Sequence, residues 1–240
     1  VLGLFNGDEL VRSWRITTHA RATGDEMALT FRGLLDEQSE ITGLALCSTV
    51  PSVLHELRPM LSSFFHEVPV VIVEPGTKTG VPILTDNPKE VGADRIVNTL
   101  AAHQQFGGPC IVVDFGTSTN LDVVSAQGEF LGGALAPGID ISLEALSTKA
   151  AQLRKVEVVR PRSPIGKNTV EALQSGAVFG FAGQVDGLVE RIIEEIGPVT
   201  AVVATGGLAS VVIDESEMIT YHDPHLTLTG LRLVFERNVD

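Results

Sequence analysis

The stretch IVVDFGTSTN, residues 111–120, decides the fold, because an apolar β-branched run stops on an acid and gives way to a polar turn. Burying an acid at the end of such a strand costs free energy unless hydrogen-bond donors or a cation compensate it. The turn from Gly116 to Thr119 exposes backbone N–H groups, and its small side chains let a phosphate approach. The stretch therefore predicts either a polar hairpin turn in which Asp114 caps local N–H groups, or one half of a phosphate site in which Asp114 holds a cation.

Composition and charge exclude several classes of partner. The chain has 240 residues and a net charge of −13, without a Lys/Arg cluster interleaved with aromatic residues, so we expect no nucleic-acid partner. No stretch has the length and apolar character of a transmembrane span, so we expect no membrane partner. Cys47 and Cys110 stand beside apolar runs and belong to no CxxC pair, which favours buried thiols in a reducing compartment. We therefore predict a cytoplasmic protein.

The apolar pattern before this stretch alternates between two periods. Residues 41–50 and 68–76 are short apolar runs typical of buried strands. Residues 23–35, 51–65 and 87–107 repeat apolar residues at helical spacing. Alternation of strand and helix predicts a parallel sheet with helices on its faces. The fold class expected is therefore α/β.

One unit of structure is predicted to occur twice. Residues 1–17 predict a hairpin that turns at Asn6-Gly7, and residues 120–138 predict a second hairpin that turns at Gln127-Gly128. The two hairpins can be superposed with a gap of one residue in the turn. A repeat of this kind predicts a duplicated domain.

The duplication makes two further predictions about the organisation of the chain. The second hairpin follows IVVDFGTSTN, so we expect about ten residues before Val1 that form a buried strand and a second acidic, glycine-rich turn. Two such turns would face each other across a nucleotide cleft. The expected domains are residues 1–108 and residues 109–240.

The stretch NPKEVGADR, residues 87–95, places Asp94 and Arg95 near the start of a predicted helix. A carboxylate there is favoured by the helix dipole and by capping, which requires no other role. The same carboxylate could accept the proton of a substrate hydroxyl while the guanidinium holds a substrate carboxylate. Both interpretations are open on the local sequence.

A pair of glycines ends another predicted strand. Residues 200–209, TAVVATGGLA, predict a strand that stops at Gly206 and Gly207. Such a pair suits a strand-to-helix turn, and it also lets a flat ligand such as a purine lie against the backbone.

A stripe of glycines runs along the long helix predicted over residues 163–197. Its members recur at spacings of four, three and four: Gly176, Gly180, Gly183 and Gly187. Each interior glycine weakens a helix by about 1 kcal/mol relative to alanine. We therefore expect a second helix to approach this stripe closely, within the core or across a dimer.

Six motifs, taken in chain order, identify a family: NPKEVGADR, IVVDFGTST, GGALAPGI, SPIGKNTVEALQSG, AVVATGG and DPHLTLTGLRLVFERN. Together they resemble the type III pantothenate kinases over nearly the whole chain. The resemblance implies the acetate kinase/sugar kinase/heat-shock/actin fold, in which duplicated ribonuclease-H-like α/β domains surround a nucleotide cleft. It also implies phosphorylation of pantothenate by ATP to 4′-phosphopantothenate, the first step of coenzyme A biosynthesis. The enzyme would be a homodimer that requires Mg²⁺ and a monovalent cation, K⁺ or NH₄⁺.

The resemblance implies roles for residues on the acceptor side of the reaction. Asp94 would be the base that deprotonates the pantothenate hydroxyl. Gly92, Ala93 and Arg95 would line the pantothenate pocket, and Thr169 would reach that pocket from the partner subunit.

On the nucleotide side, the resemblance implies that Asp114 binds the monovalent cation. Gly116 and Thr117 would bind the phosphates of ATP, and Gly206 and Gly207 would lie beside the adenosine. These roles agree with the general needs of phosphoryl transfer to a hydroxyl, which are phosphate cradles, metal charge and a base at the acceptor.

The sequence departs from the family pattern in two respects. The first phosphate motif of the family, an Asp-x-Gly-Asn-Thr turn, is absent from residues 1–240. A protein that truly lacked it would lose ATP and Mg²⁺ binding, and no kinase activity would be expected of it. Thr85 stands where many members carry a tyrosine against the substrate, which leaves the substrate affinity open. The alternative function is a catalytically inactive regulatory homologue that binds nucleotide without turnover.

Overall fold

The computed structural model describes residues 1–19, 21–35, 40–150 and 156–239. The strands are β1 (Leu2–Asn6), β2 (Glu9–Trp14), β3 (Leu44–Leu46), β4 (Val70–Ile72), β5 (Cys110–Phe115), β6 (Ser118–Val124), β7 (Phe130–Pro137), β8 (Ala201–Thr205) and β9 (Tyr221–His222). The helices are α1 (Gly24–Leu34), α2 (Pro51–Phe64), α3 (Ala93–Phe106), α4 (Ile139–Lys149), α5 (Thr169–Ile196), α6 (Ala209–Val212) and α7 (Leu226–Glu236). Short 3₁₀ turns occupy Pro88–Glu90 and Ile213–Glu215.

The chain divides into two compact units. The first unit comprises residues 1–80, 87–101 and 227–240, and the second comprises residues 81–86 and 102–226. These units differ from the predicted division after residue 108, since α7 belongs to the first unit and α3 passes from one unit to the other. The domain boundaries at 108 and 109 stay a prediction.

The second unit is built on one five-stranded sheet in the order β7-β6-β5-β8-β9. Strands β5, β6 and β7 are antiparallel neighbours, and β8 is parallel to β5 on its other side. The stretch IVVDFGTSTN, residues 111–120, therefore forms most of the central strand β5, the turn after it and the start of β6. Alternate residues of β5, Ile111, Val113 and Phe115, face a core that α5 covers with Val185 and Val189.

The first unit contains two short sheets. Strands β3 and β4 are parallel, as the alternation of strand and helix predicts, and they are connected through α2. Helix α1 begins at a capping box, in which Thr23 accepts a hydrogen bond from the Glu26 N–H and Glu26 accepts one from the Thr23 N–H. Its Ala28 packs among buried residues of α2: Val53, Leu57, Met60 and Leu61.

The two predicted hairpins, β1-β2 and β6-β7, share an irregularity that supports the duplication. In the first, Phe5 pairs with Leu10 and Leu4 with Arg12, so that one residue of β2 is left over. In the second, Val124 pairs with Phe130 and Val123 with Gly132, so that one residue of β7 is left over at the corresponding place. The residues that bulge are Val11 and Leu131, and each turn contains a glycine with positive φ. Among the described residues of the first unit, no strand corresponds to β5.

Of the helices that the structure describes, none combines the length and the apolar character needed to cross a membrane.

Candidate functional site

Asp114 lies at the carboxyl end of β5, in a row of polar residues that crosses the sheet. It is level with Asn120 on one neighbouring strand and with Thr205 on the other. Asn120 is 8% exposed, and its Oδ1 has no hydrogen-bond partner among the described residues. Beyond Asp114 the chain turns through Gly116 and Thr117, both of which are exposed. The end of β5 therefore presents oxygen ligands next to an accessible turn.

Gly206, at the end of β8, packs directly against Asp114. Its φ is +95°, and a Cβ atom at this position would lie 2.6 Å from Asp114 Oδ1 and 2.6 Å from the Phe115 carbonyl oxygen. Only glycine adopts this conformation without strain and leaves room for the carboxylate. Gly207 follows it and is exposed. The structure thus brings Gly206 against Asp114 and Gly116, which precede it in the sequence by 92 and 90 residues.

Gly138 supports the turn from the other side, and the sequence-based site does not include it. Its N–H donates to the Thr117 carbonyl oxygen at 3.0 Å. A Cβ atom on Gly138 would lie 2.5 Å from the Gly116 carbonyl oxygen and 2.4 Å from that of Thr117. Gly138 is also the N-cap of α4, so this helix begins beside the turn. The signal in the sequence was the Pro-Gly step of GGALAPGI, which we used only to recognise the family.

Asp94 occupies the first turn of α3, in the first unit. Its Oδ1 accepts the Arg95 N–H at 2.9 Å, and the Gly92 carbonyl oxygen accepts the same N–H at 3.1 Å. A Cβ atom on Gly92 would lie 2.5 Å from Asp94 Oδ1, so glycine leaves space for the carboxylate. The predicted group of Gly92, Ala93, Asp94 and Arg95 is therefore one local structure, the entry of α3.

A sequence model of the type III pantothenate kinase family matches residues 1–191. The chain belongs to the type III pantothenate kinase family. A type III pantothenate kinase of Frankia alni is 66% identical over the whole chain and 95% of its own length. The corresponding proteins of Salinispora arenicola and Streptomyces coelicolor are 63% and 60% identical, again over the whole chain and over 95% and 94% of their own lengths. Membership of this family confirms the predicted resemblance, the predicted kinase activity and the predicted use of ATP.

Solved structures agree on the fold. The Lmo2764 protein of Listeria monocytogenes superposes with a TM-score of 0.54 at 13% identity, covering 99% of this chain and 95% of that one. A ROK family protein of Streptococcus pneumoniae superposes with a TM-score of 0.51 at 13% identity, covering 97% and 92%. The α/β fold of this type III pantothenate kinase is thus the actin-like fold of sugar kinases, as predicted.

Thr169, the residue predicted to act across a dimer, lies in the second unit as the first residue of α5. It is exposed. The N-cap Asn168 accepts the Glu171 N–H at 2.9 Å, and Glu171 in turn accepts the Lys167 N–H at 2.8 Å. The Lys167 N–H is the first cause of a lowered Glu171 pKa, ahead of the nearby Arg162. In this type III pantothenate kinase, Thr169 therefore lies on a fixed helix entry, in a different part of the chain from Asp94.

Among the described residues, no three His, Cys, Asp or Glu side chains are grouped so that they could hold a metal ion.

Cys47 lies near Asp94, and sequence analysis did not connect the two. Burial raises the pKa of the Cys47 thiol to about 12, and the negative charge of Asp94 adds to the shift. Burial also raises the pKa of Cys110 to about 12. Both cysteines are free thiols. They are therefore protonated at neutral pH in the folded enzyme.

Neither cysteine of the native enzyme is expected to react appreciably with DTNB at about pH 8. A pKa raised from 9.0 to about 12 lowers the thiolate fraction by about three orders of magnitude. Because the unfolded chain ionises first, these thiols also lower the free energy of unfolding progressively as the pH rises from about 9 towards 12. Absorbance of the released thionitrobenzoate, before and after unfolding in guanidinium, measures the reaction. Rapid reaction of the native protein would contradict the prediction, and a Cys47→Ser variant identifies the thiol responsible.

Proposed function

We propose that this chain transfers the γ-phosphoryl group of ATP to the hydroxyl of pantothenate, with Asp94 as the base. The observation that carries the proposal is the identity of 66% with a type III pantothenate kinase over the whole chain. The product is 4′-phosphopantothenate, which makes this the first step of coenzyme A biosynthesis. The comparisons do not favour the alternative of an inactive nucleotide-binding regulator.

On the acceptor side, the entry of α3 carries the chemistry. The Asp94 carboxylate takes the proton of the substrate hydroxyl as its oxygen bonds to the γ-phosphorus, and the bond to the bridging oxygen of ADP breaks. Gly92 and Ala93 line the pocket with backbone, and the Arg95 guanidinium holds the pantothenate carboxylate. The backbone bond from the Arg95 N–H to Asp94 supports this role, since it holds the carboxylate in one orientation.

On the nucleotide side, the turn after β5 carries the chemistry. Gly116 and Thr117 are proposed to donate to the phosphates of ATP, and the N-terminus of α4 adds a favourable dipole beside them. Gly206 and Gly207 are proposed to lie beside the adenosine, where the absence of side chains gives a flat ligand access. The exposure of Gly116, Thr117 and Gly207 supports these roles.

The cations belong to the same side of the reaction. Asp114 and Asn120 would hold K⁺ or NH₄⁺, and the buried Asn120 Oδ1 without a partner fits an oxygen ligand for such an ion. The ion would supply positive charge beside the phosphates. Mg²⁺ would neutralise the phosphates in the same way, and we assign it no ligand in this chain.

The reaction is tested on the full-length protein, including the segment expected before Val1, by coupling ADP release to NADH oxidation with pantothenate, ATP, Mg²⁺ and K⁺. We expect release that depends on pantothenate. Measurable ATP binding without ADP release would instead support the regulatory alternative.

Two free thiols support the proposed cytoplasmic location.

The glycine stripe of α5 supports the proposed homodimer. Gly176, Gly180 and Gly183 are exposed, and a Cβ atom built on any of them meets no described atom within 4 Å beyond the backbone of the helix itself. Gly187, the fourth member, is half-buried, and a Cβ atom there would lie 3.2 Å from Arg191 Nη1 of the same helix. The first three members therefore do not pack in the core of the unit. A second copy of α5 is the partner that would compensate the helix-weakening glycines, and it would bring Thr169 to an interface.

Gly180→Arg is expected to convert the dimer to a monomer without unfolding it, because the arginine has space in one chain and none against a close partner helix. Size-exclusion chromatography with light scattering gives the mass. Gly33→Arg is the matched control, since Gly33 is also an exposed helical glycine whose Cβ would meet no atom within 4 Å. A Gly180→Arg protein that stays dimeric would place the interface elsewhere.

A further inference from the structure

Helix α3 contacts α7 at Asn98, which lies one helical turn after Asp94. Asn98 of α3 is 0% exposed, and the Thr227 hydroxyl donates to its Oδ1 at 2.7 Å. Beside this bond, the backbones of the two helices approach so closely that a Cβ atom on Gly230 would lie 2.1 Å from the Val97 carbonyl oxygen. Both contacts lie within the first unit.

Asn98 follows Asp94 by four residues, so the two side chains lie one turn apart on nearly the same side of α3. Asp94 itself is held by its own turn: its carboxylate accepts the Arg95 N–H at 2.9 Å and lies against Gly92. The direction of the Asp94 carboxylate therefore depends on how the first turns of α3 are rotated about the helix axis and placed along it. Whatever fixes those turns also fixes Asp94.

The Thr227–Asn98 pair is an unusual choice for a buried contact between helices. Apolar side chains would fill the space without the desolvation of an amide, and Asn98 Nδ2 has no hydrogen-bond partner among the described residues. A hydrogen bond is directional, whereas apolar packing tolerates rotation and sliding. With its Oδ1 bound to Thr227, Asn98 ties one face of α3 to α7 in a single direction.

We propose that the hydrogen bond between Thr227 and Asn98 positions Asp94 for catalysis, which makes Thr227 and Asn98 positioning residues. The inference rests on the proposed role of Asp94 as the base. Displacement of a catalytic group by about 1 Å is enough to lower turnover by about a hundredfold. Loss of the bond should therefore lower kcat while the nucleotide side of the reaction is unchanged.

The test compares Thr227→Val, which keeps the shape and removes the hydroxyl, with Thr227→Ser, which keeps the hydroxyl. We expect kcat of Thr227→Val to fall about tenfold or more, with the KM for ATP within about twofold of the unmodified enzyme. Thr227→Ser should recover most of kcat. The matched control is Thr229→Val, the same change two residues along α7 and about 200° around it. Thr227→Ala replaces the valine variant if that protein does not fold.

A second readout does not depend on turnover. The carbon-13 chemical shift of the Asp94 carboxyl should change in Thr227→Val and stay unchanged in Thr227→Ser and Thr229→Val. Loss of thermal stability with unchanged kcat and an unchanged Asp94 signal would show that the pair only packs the helices, and would overturn the inference. An unmodified enzyme without turnover would contradict the proposed function instead, and the Asp94 signal would still decide whether Thr227 controls that carboxylate.

Discussion

Asp94→Asn is expected to lower kcat for pantothenate phosphorylation by about two orders of magnitude or more, since the amide cannot accept the proton of the substrate hydroxyl. The change is nearly isosteric. The amide oxygen can still accept the Arg95 N–H that Asp94 Oδ1 accepts at 2.9 Å, so the entry of α3 should persist. The KM for ATP should change little, because Asp94 acts on the acceptor. Steady-state kinetics by coupled ADP release measures both.

Asp25→Asn provides the matched control for this experiment. Asp25 is also an acid in the first turn of a helix, α1, and it is exposed. Its substitution removes the same favourable interaction with a helix dipole, worth about 0.3–1 kcal/mol, without touching the reaction. If Asp94→Asn and Asp25→Asn both keep near-normal turnover, Asp94 is only a first-turn acid, which is the structural interpretation of NPKEVGADR.

Local sequence was sufficient for the elements that their own residues specify. The turn into β6 follows from the stop of an apolar run at Asp114, and α2 begins where Pro51 fits the first helical position. Both hairpins follow from the glycines of their turns. These features depend on a few neighbouring residues and therefore leave a local signal.

The lengths of strands and the presence of weakly patterned helices were harder to predict, because tertiary contacts decide them. The apolar run at residues 41–50 is typical of a buried strand, yet only Leu44–Leu46 pair with β4. Helix α4 was not predicted at all. Its buried residues are Ile139 and Leu143 alone, too few for a clear helical period.

The site residues that sequence analysis missed are defined by contacts between residues far apart in the chain. Gly138 is required by the approach of two carbonyl groups, and no pattern around it records that approach. The bond from Thr227 to Asn98 joins residues 129 positions apart. Thr227 belongs to DPHLTLTGLRLVFERN, and Asn98 lies three residues beyond NPKEVGADR. Cys47 is likewise close to Asp94 only in the folded chain. Such residues can be identified from the folded structure but not from the spacing of residues in the sequence.

Gly206→Ala is expected to abolish detectable ATP binding and turnover, or nearly so. A methyl group on this residue would lie 2.6 Å from Asp114 Oδ1 and 2.6 Å from the Phe115 carbonyl oxygen. The backbone of β5 cannot yield, so either Asp114 or the strand end must move, and both belong to the proposed nucleotide side. Isothermal titration with ATP, in the presence of K⁺ and Mg²⁺, measures the loss directly.

Gly197→Ala separates this collision from simple backbone strain. Gly197 has φ +85°, close to the +95° of Gly206, yet a Cβ atom there meets nothing within 4 Å. Both variants therefore carry the cost of alanine at a positive φ that side chains rarely adopt, about 1–3 kcal/mol. Only Gly206→Ala displaces the Asp114 carboxylate. Equal loss of stability with normal ATP affinity in both variants would mean that Gly206 is a turn residue alone; loss of affinity confined to Gly206→Ala would tie the end of β8 to the cation and phosphate ligands at the end of β5.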